Sequence, residues 1–597
     1  MPRAFLSLFA VVSFIAFFNQ RLSAQSTHRI WAIHDGEKVE RDDRNHPLKA
    51  GNSVWNGRRI KLFGARNETV AFQVIVEAGD GGIRKLTATL RELKLKGGAP
   101  KIAYAPPAGD PSDYVGRPIQ LFSVNYMNVT RPTGASWIYR PGTPAAPKDP
   151  TGWKPVQLIP ENAKAGKGGF PLKVEPNQTQ AIWIELYTAR DLPAGIYQGE
   201  VMVAADGKAT RIPVELELLD FTLPDENSMY AMVYYQPSQP ELYQGRNLDA
   251  VYHRFAHRHR VELVYAYSIE SAKAAMGRFR GSDFTRAAGY EGPGESAGNR
   301  IVPASFYGPG ADYDDRDSAW KKSDAWMTFL KENLPGAITF LYMPDELSPA
   351  QFARIRAIAD NIHSNPGPGR ALPIFVTHRY VKELDGAIDV WDSGPRGYDI
   401  ELAKSERAKG RDYWIYNGGR PWGGAIVIDA PATDARATIW ACFKHQIKVY
   451  FYWHGVHWRH NMQKQGERVQ NVWANPVTFD NRGQPGRPYN DQNFANGDGV
   501  LLYPGEEKLH PEEDRGVAGP ISTVQLANFR RGLQDHQYLT MARKLGLHAL
   551  VEETLQSVVP RVFSDAQLTV GFAEEGDAYE AARYKLAKAI SAAAKKQ

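Results

Sequence analysis

Residues 338–347 read Ile-Thr-Phe-Leu-Tyr-Met-Pro-Asp-Glu-Leu, and the organisation of the chain can be worked out from this stretch. Its β-branched and aromatic residues predict a buried strand that ends at Pro344. Two adjacent carboxylates, Asp345 and Glu346, follow, and an apolar pattern of helical period comes next. Catalytic residues of α/β barrels lie at the C-terminal ends of the strands, so this order predicts a catalytic pair. The structural alternative is that Asp345 caps the helix and Glu346 is solvated.

On both sides of this stretch, from residue 224 to 545, short apolar strands alternate with helical patterns. We predict strands at residues 229–235, 261–267, 338–343, 373–377, 387–391, 413–416, 449–453 and 499–503. About eight strand–helix units predict a (β/α)8 barrel of the TIM type with insertions. Residues 546–597 are Ala/Lys-rich and helical in pattern, so we expect a helical tail that packs on the barrel.

The preceding part, residues 25–223, has a different pattern, with apolar and polar residues alternating between Gly, Pro and Asp turn signals. The alternation is clearest at Thr69–Val76, Ala181–Tyr187, Tyr197–Val203 and Ile212–Leu218. Short alternating strands of this kind are typical of a β-sandwich. The sequence therefore predicts a multidomain β plus α/β protein, with an N-terminal β-sandwich ahead of the barrel.

The first 24 residues have the features of a secretory signal peptide. Arg3 is followed by an apolar run over residues 4–18, and Ala24 offers a small residue for cleavage. Cys442 is the only cysteine, which excludes an internal disulfide. We therefore expect a secreted or periplasmic protein with no stable membrane insertion after cleavage.

The composition is that of a globular protein, with 43% hydrophobic and 23% charged residues. The net charge of +6 is spread over 597 residues without a dense Lys/Arg block. A nucleic-acid site needs a clustered basic surface, so we predict no nucleic-acid partner. The sequence gives no indication of oligomeric state.

Residues that follow the predicted strands would share one mouth of the barrel. Many are aromatic, and aromatic rings stack on the C–H faces of sugars, while Asp, His and Asn hold hydroxyls. A glycan or glycoconjugate is therefore the expected substrate. The predicted substrate-binding residues are Tyr234, His378, Trp391, Asp392, Tyr416, Trp453, His457, Trp458, Asp498 and Tyr503.

Several of these residues have a structural alternative. Trp391 lies on an apolar strand, where a core position is favoured over a binding platform. Trp453 and Trp458 flank Gly455 in a His-rich loop, which favours a site. Asp498 stands between two glycines and fits a turn as well as a ligand contact.

The same loop raises the possibility of a metal site. His454, His457 and His460 recur every three residues, but no Cys or Glu ligand is nearby. We therefore predict neither a metal nor another cofactor.

The carboxylate pair restricts the mechanism. Glycosidase carboxylates stand about 5 Å apart in retaining enzymes and about 6.5–9.5 Å apart in inverting ones, on opposite faces of the sugar. Adjacent residues, with α-carbons about 3.8 Å apart, do not reach both faces easily. Either Asp392, Asp429 or Asp498 is the nucleophile, or a 2-acetamido group of the substrate attacks its own anomeric carbon.

These motifs resemble glycoside hydrolase family 123 and its wider relatives. The similarity extends from about residue 60 to 545. Its matching blocks are Gly64–Gln73, Pro344–Glu346, Trp414–Tyr416, Tyr452–Trp453, Asn496–Gly499 with Leu502–Gly505, and Arg530–Asp535. One departure is the segment Gln534-Asp535-His536-Gln537, which is less acidic than usual for the family.

The resemblance implies a β-sandwich, a barrel and β-N-acetylgalactosaminidase activity by a substrate-assisted retaining route. Carried onto this sequence, Glu346 is the general acid/base, and Asp345 stabilises the acetamido group. Two alternatives stay open. One is a glycosidase for a sugar that lacks the acetamido group, with a separate nucleophile. The other is a non-catalytic carbohydrate-binding protein on a degenerate barrel.

Overall fold

The computed structural model describes residues 28–107, 113–462, 466–482 and 492–595. The predicted signal peptide lies outside these residues. Two largely antiparallel sheets form the N-terminal part, a parallel sheet with helices follows, and helices end the chain. No helix in the described ranges is long and apolar enough to cross a membrane.

The N-terminal part is a β-sandwich. Its strands are β1 (Arg29–His34), β2 (Ile60–Arg66), β3 (Glu68–Glu77), β4 (Ile83–Leu95), β5 (Lys101–Ala103), β6 (Ile119–Val129), β7 (Gly152–Pro160), β8 (Leu172–Val174), β9 (Thr179–Thr188), β10 (Gly195–Ala205) and β11 (Lys208–Thr222). One sheet has the order β1-β3-β9-β6-β7 and the other β2-β11-β10-β4-β5, with β8 beside β4. Alternate residues such as Trp183, Val201 and Leu216 are fully buried between them, as a two-residue period requires.

A seven-stranded parallel sheet follows. Its strands are β12 (Tyr230–Tyr234), β13 (Val261–Val264), β14 (Leu341–Tyr342), β15 (Ile374–Val376), β16 (Val390–Ser393), β17 (Asp412–Tyr416) and β18 (Val449–Tyr452), in the order β13-β12-β18-β17-β16-β15-β14. The intervening helices are α1 (Ser238–Gln244), α2 (Asp249–Arg258), α3 (Ile269–Ala274), α4 (Met276–Arg280), α5 (Arg316–Asn333), α6 (Phe352–His363), α7 (Ile400–Ala408) and α8 (Thr433–Lys444).

The predicted eighth barrel strand lies elsewhere. The segment after β18 forms β19 (Arg459–Met462), β20 (Gly466–Val469), β21 (Val477–Asp480), β22 (Phe494–Asn496), β23 (Leu502–Pro504) and β24 (Pro520–Thr523). β23 pairs with β24, which pairs with β7 of the sandwich. The apolar run at 499–503 therefore extends the sandwich sheet, and its assignment to the barrel is wrong.

An irregular segment occupies the gap between β13 and β14. Over residues 300–304, the Val302 amide donates to the Ile338 carbonyl at 2.8 Å. The Pro303 carbonyl accepts from the Tyr267 amide, on the β13 side, at 3.0 Å. Proline has no amide hydrogen, so a regular ladder cannot continue here. The described strands thus form a curved parallel sheet, and a regular (β/α)8 barrel is not confirmed.

The C-terminal helices are α9 (Val524–Lys544), α10 (His548–Val558) and α11 (Gly576–Ala594). The ring of Tyr584 on α11 lies 4.9 Å from that of Phe63 on β2, and its hydroxyl donates to Glu217 of β11 at 3.0 Å. The ring of Tyr579, also on α11, lies 5.9 Å from that of Trp440 on α8, so this helix packs on the parallel-sheet part as well as on the sandwich.

Candidate active site

The carboxylate pair lies just beyond the C-terminal end of β14, where the sequence predicts it. Glu346 has a φ of +46°, a left-handed conformation that is unusual for this residue type. Ser348 and Gln351 form the capping box ahead of α6, with the Ser348 amide donating to Gln351 at 2.8 Å. Asp345 is thus not the helix cap, and that structural alternative is wrong.

Asp345 is held by two hydroxyl groups. The Thr377 hydroxyl donates to Asp345 Oδ1 at 2.6 Å, and the Tyr342 hydroxyl lies 3.1 Å from the same oxygen. The two hydroxyls are themselves 2.9 Å apart. Tyr342 on β14 and Thr377, directly after the neighbouring strand β15, are buried, whereas Asp345 and Glu346 are exposed. The sheet therefore fixes one carboxylate at the opening of the site.

Both carboxylates line one cavity of about 450 Å³. Successive residues of an extended chain point to opposite sides, so the left-handed backbone at Glu346 accounts for their shared direction. The volume is in the usual range for small-molecule sites, about 300–1,000 Å³. The cavity is lined by Ser136, Trp137, Tyr307, Tyr342, Asp345, Glu346, Thr377, Gly394, Pro395, Arg396, Tyr416, Asn417, Gly418, Phe451, Trp453, Phe479, Asn481, Asn493 and Asp498.

Of the ten predicted binding residues, Tyr416, Trp453 and Asp498 line this cavity. The Trp453 indole and the Tyr452 hydroxyl donate to Asp498 Oδ1 at 3.0 and 3.1 Å. Burial raises the pKa of Asp498 to about 6. Gly497 and Gly499 on either side both have a φ of +76°, so Asp498 is a turn residue and a cavity residue at once.

Three further predicted residues lie near the cavity without lining it. The Tyr234 ring packs 4.8 Å from the ring of Tyr307, which does line the cavity. The His457 ring lies 4.8 Å from that of Trp453. The imidazole of His378 hydrogen-bonds the carbonyl of Arg379 at 2.6 Å. None of these three is among the residues that line the cavity.

The remaining four predicted residues, Trp391, Asp392, Trp458 and Tyr503, are fully buried and are not among the residues that line this cavity. The Trp458 indole donates to the carbonyl of Leu502 at 3.0 Å, inside the core. Tyr503 lies on β23, which joins the sandwich sheet through β24, so it is not at the C-terminal end of the parallel sheet. Trp391 occupies the core position that its apolar strand favours.

The three candidate nucleophiles differ in access. Asp392 is buried, neither of its oxygens has a hydrogen-bond partner among the described residues, and burial, followed by the charge of Asp345, raises its pKa well above the ordinary value. Asp429 is buried outside the cavity and accepts from the Thr133 amide at 2.6 Å and the Tyr139 hydroxyl at 2.7 Å. Only Asp498 of the three lines the cavity.

The histidine loop does not form a metal site in the part of the chain that the structure describes. No group of three or more His, Cys, Asp or Glu side chains there is arranged to hold an ion. Burial lowers the pKa of His454 well below the ordinary value. The structure does not describe the side chain of His460.

Sequence reasoning missed two parts of the cavity wall. Trp137 comes from the sandwich, is 45% exposed, and packs edge-on to Phe479 with ring centres 5.6 Å apart. Phe479 is edge-on to Trp453 at 6.0 Å, which extends the aromatic wall. Tyr307 follows the irregular segment 300–304, and its hydroxyl donates to the Trp453 carbonyl at 2.7 Å. Two features of the sequence could have indicated these parts of the wall. They are a tryptophan in a polar loop, for Trp137, and the apolar run through Pro303, for Tyr307.

Comparison with solved structures gives a fold match over nearly the whole chain. A structure of a family 123 glycoside hydrolase from Clostridium perfringens, from work on glycolipid glycan hydrolysis, is 13% identical, with a TM-score of 0.61. The match covers 96% of this chain and 99% of that one. This match confirms the resemblance that we inferred from the sequence motifs. At 13% identity, it establishes similarity of fold.

Other similarities are much weaker. A β-glucuronidase from Parabacteroides merdae is 11% identical, with a TM-score of 0.20, over 64% of this chain and 45% of that one. A putative β-galactosidase from Bacteroides fragilis is 10% identical, with a TM-score of 0.24, over 68% of this chain and 56% of that one. No protein-family model matches the sequence, and no curated protein sequence matches it either.

Proposed function

We propose that this protein is a retaining exo-glycoside hydrolase that releases β-linked N-acetylhexosamine, in the first place N-acetylgalactosamine. The observation that carries the proposal is the pair of adjacent carboxylates in one aromatic-lined cavity. Asp345 is oriented by Thr377 and Tyr342, and Glu346 lies beside it at the same opening, with a left-handed backbone. One carboxylate held by two hydroxyls next to a second carboxylate suits two different roles.

In the proposed reaction, the acetamido carbonyl oxygen of the substrate attacks its own anomeric carbon. The bond to the leaving oxygen breaks, and Glu346 donates a proton to that oxygen. Asp345 accepts a hydrogen bond from the acetamido N–H and stabilises the positive charge of the oxazolinium ring. Water then attacks the anomeric carbon from the other face, Glu346 takes its proton, and the ring opens. Two inversions retain the β configuration.

The aromatic wall supports a sugar as the occupant of the cavity. Tyr416, Trp453 and Trp137 offer rings for the C–H faces of a pyranose, and Asn417 and Asn481 offer amide groups for its hydroxyls. A carbohydrate-binding protein without activity would need this wall but no oriented carboxylate. The geometry around Asp345 therefore favours the enzyme.

The first experiment compares aryl β-N-acetylgalactosaminide, β-N-acetylglucosaminide and β-galactoside, each with and without an N-acetyl-thiazoline inhibitor. We expect hydrolysis of an N-acetylated substrate, blocked by the thiazoline, and no hydrolysis of the plain galactoside. Hydrolysis of the galactoside that the thiazoline leaves untouched would contradict the proposal. It would favour the second candidate function, a glycosidase with a separate nucleophile. Asp498 is the candidate for that nucleophile because it lines the cavity.

Substitution separates the two carboxylate roles. Glu346→Gln should lower kcat by about 10²–10⁴-fold with ordinary aryl substrates. The loss should shrink with a dinitrophenyl leaving group, which needs no proton. Asp345→Asn should lower activity with the ordinary aryl and the dinitrophenyl substrate alike, because Asp345 acts on the acetamido group and not on the leaving group. Glu401→Gln, an exposed glutamate on α7, is the matched control. A Glu346→Gln enzyme with near-normal activity would refute the assignment.

We also propose that the protein acts outside the cytoplasm, since residues 1–24 have the features of a signal peptide. N-terminal sequencing of the exported protein tests this. A mature chain that begins near Gln25 is expected, whereas an intact N-terminus on cytoplasmic protein would contradict it.

A further inference from the structure

A second cavity, of about 420 Å³, adjoins the catalytic one. Ser136 lines both, and Asn493 lines the catalytic cavity while its neighbours Gln492 and Phe494 line the second. The two spaces are therefore separated only by the loop around Ser136 and a short strand segment. The second cavity is lined by Arg131, Pro132, Gly134, Ser136, Arg140, Pro141, Thr143, Gln492 and Phe494.

The charges of the two cavities are opposite. Among the residues that the structure describes, the lining of the second cavity contains two arginines and no acidic residue. The catalytic cavity has three carboxylates, Asp345, Glu346 and Asp498, and one arginine. An anionic group would be repelled from the catalytic carboxylates but attracted to the adjoining cavity. The two spaces therefore select different parts of one substrate.

Both arginines are on a loop that contacts with β22 hold in place. The guanidinium of Arg131 lies 4.8 Å from the centre of the buried Phe494 ring, a cation–π contact. Asn496 donates to the Arg131 carbonyl at 3.0 Å. Arg140 is exposed, and no ion pair of the described residues includes it. The guanidinium of Arg131 is thus positioned before any ligand binds, and Arg140 adds a second positive charge from an exposed position.

The anchor of this loop is the buried Asp429. It accepts from the Thr133 amide at 2.6 Å and from the Thr133 hydroxyl at 2.8 Å, two residues after Arg131. It also accepts from the Tyr139 hydroxyl at 2.7 Å, one residue before Arg140. Trp137, between these two points, lines the catalytic cavity. One carboxylate therefore fixes the aromatic and the cationic parts of the loop together.

We propose that the second cavity is a subsite for an anionic sugar, bearing a carboxylate or a sulfate ester, that follows the terminal N-acetylhexosamine. This inference deepens the proposed function and rests on it for the position of the terminal sugar. In an exo-acting enzyme the terminal unit fills the catalytic cavity, so the next unit passes Ser136 and Trp137. The planar arginine fork pairs with the two or three oxygens of either anion.

Binding is tested with three disaccharides that end in β-N-acetylgalactosamine and differ in the second sugar. The second sugar is a neutral hexose, a uronic acid or a sulfated hexose, and the protein is the full chain carrying Glu346→Gln, which slows turnover. We expect both anionic disaccharides to bind about tenfold more tightly than the neutral one. The preference should decrease between about 50 and about 300 mM NaCl, because Arg140 is exposed.

Variants then assign the preference to the cavity. Arg140→Gln should reduce it, and Arg131→Gln with Arg140→Gln should abolish it at unchanged melting temperature. Arg84→Gln, an arginine on β4 with an 87% exposed side chain, is the matched control and should keep it. Preference for one anion alone would still support the subsite and would identify that anion.

Three outcomes would overturn the subsite: equal binding of all three disaccharides, no binding of any, or a preference that survives the double substitution. The proposed function is scored separately, by hydrolysis of neutral aryl N-acetylgalactosaminide with the unsubstituted protein. Hydrolysis without an anionic preference refutes the subsite alone. An arginine-dependent preference without hydrolysis refutes the catalytic proposal alone.

Discussion

The hydroxyl of Thr377 makes the short contact to Asp345, and its removal is the sharpest test of the site. Thr377→Val keeps the shape of the side chain and deletes the hydrogen bond of 2.6 Å to Asp345 Oδ1. A hydrogen bond to a charged group contributes about 1.5–3 kcal/mol. If this bond orients Asp345 for the acetamido group, its loss should lower kcat/KM by roughly 10- to 150-fold.

The assay is the steady-state hydrolysis of an aryl β-N-acetylgalactosaminide, with the inhibition constant of the thiazoline measured for each variant. We expect the inhibition constant to rise in parallel with the loss of kcat/KM, because both report the contact between Asp345 and the acetamido group. Tyr342→Phe removes the other hydroxyl near the same oxygen. The two substitutions should be non-additive, since they act through one carboxylate.

Thr554→Val is the control for a lost hydroxyl. Thr554 is buried on α10 and donates to the carbonyl of Val551 at 2.8 Å, away from the cavity. We expect normal kinetics from this variant. If Thr377→Val stays within about twofold of the original kcat/KM at unchanged melting temperature, the positioning argument fails, because far less than a charged hydrogen bond was lost.

Three further predictions concern buried carboxylates. Asp498→Asn should weaken the pH dependence of stability between about pH 4 and 6. Protonation of the native Asp498, whose pKa is about 6, stabilises the fold at low pH, and this contribution is lost as pH rises. Melting temperatures against pH test it, and an unchanged pH dependence would contradict it. Asp429→Asn should loosen the loop that carries Trp137 and raise KM for oligosaccharides more than for aryl glycosides; equal effects on both would contradict this. Arg531→Met should destabilise the protein by about 3–5 kcal/mol, because it leaves Glu580 and Glu68 buried without this partner; denaturant unfolding measures it, and Arg211→Met, an exposed pair with Glu200, is the control.

The sequence by itself determined the local elements and the position of the carboxylate pair. Two-residue and helical periodicities depend only on neighbours along the chain, so they predicted the sandwich strands and most strands of the parallel sheet. The break at Pro344 and the acids after it located the site at a strand end. The motifs that resemble family 123 predicted a fold that the structural comparison confirms.

The local sequence pattern did not determine which sheet a short apolar run joins. Residues 499–503 read like any barrel strand, yet the partners of β23 come from residues 520–523 and, through them, from β7. For this reason Tyr503 is not among the residues that line the cavity. Long-range pairing depends on the packing of the whole chain, and a five-residue run carries no information about its partner.

Only the tertiary structure decided the composition of the cavity wall. Trp137 and the arginines beside it come from the sandwich, more than 200 residues before the carboxylates that they adjoin. Trp391, Asp392 and Trp458 are core residues that do not line the cavity, whereas Tyr416, Trp453 and Asp498 line it. Strand-end position is a property of the local sequence, whereas access to a cavity depends on which distant segments cover each strand end.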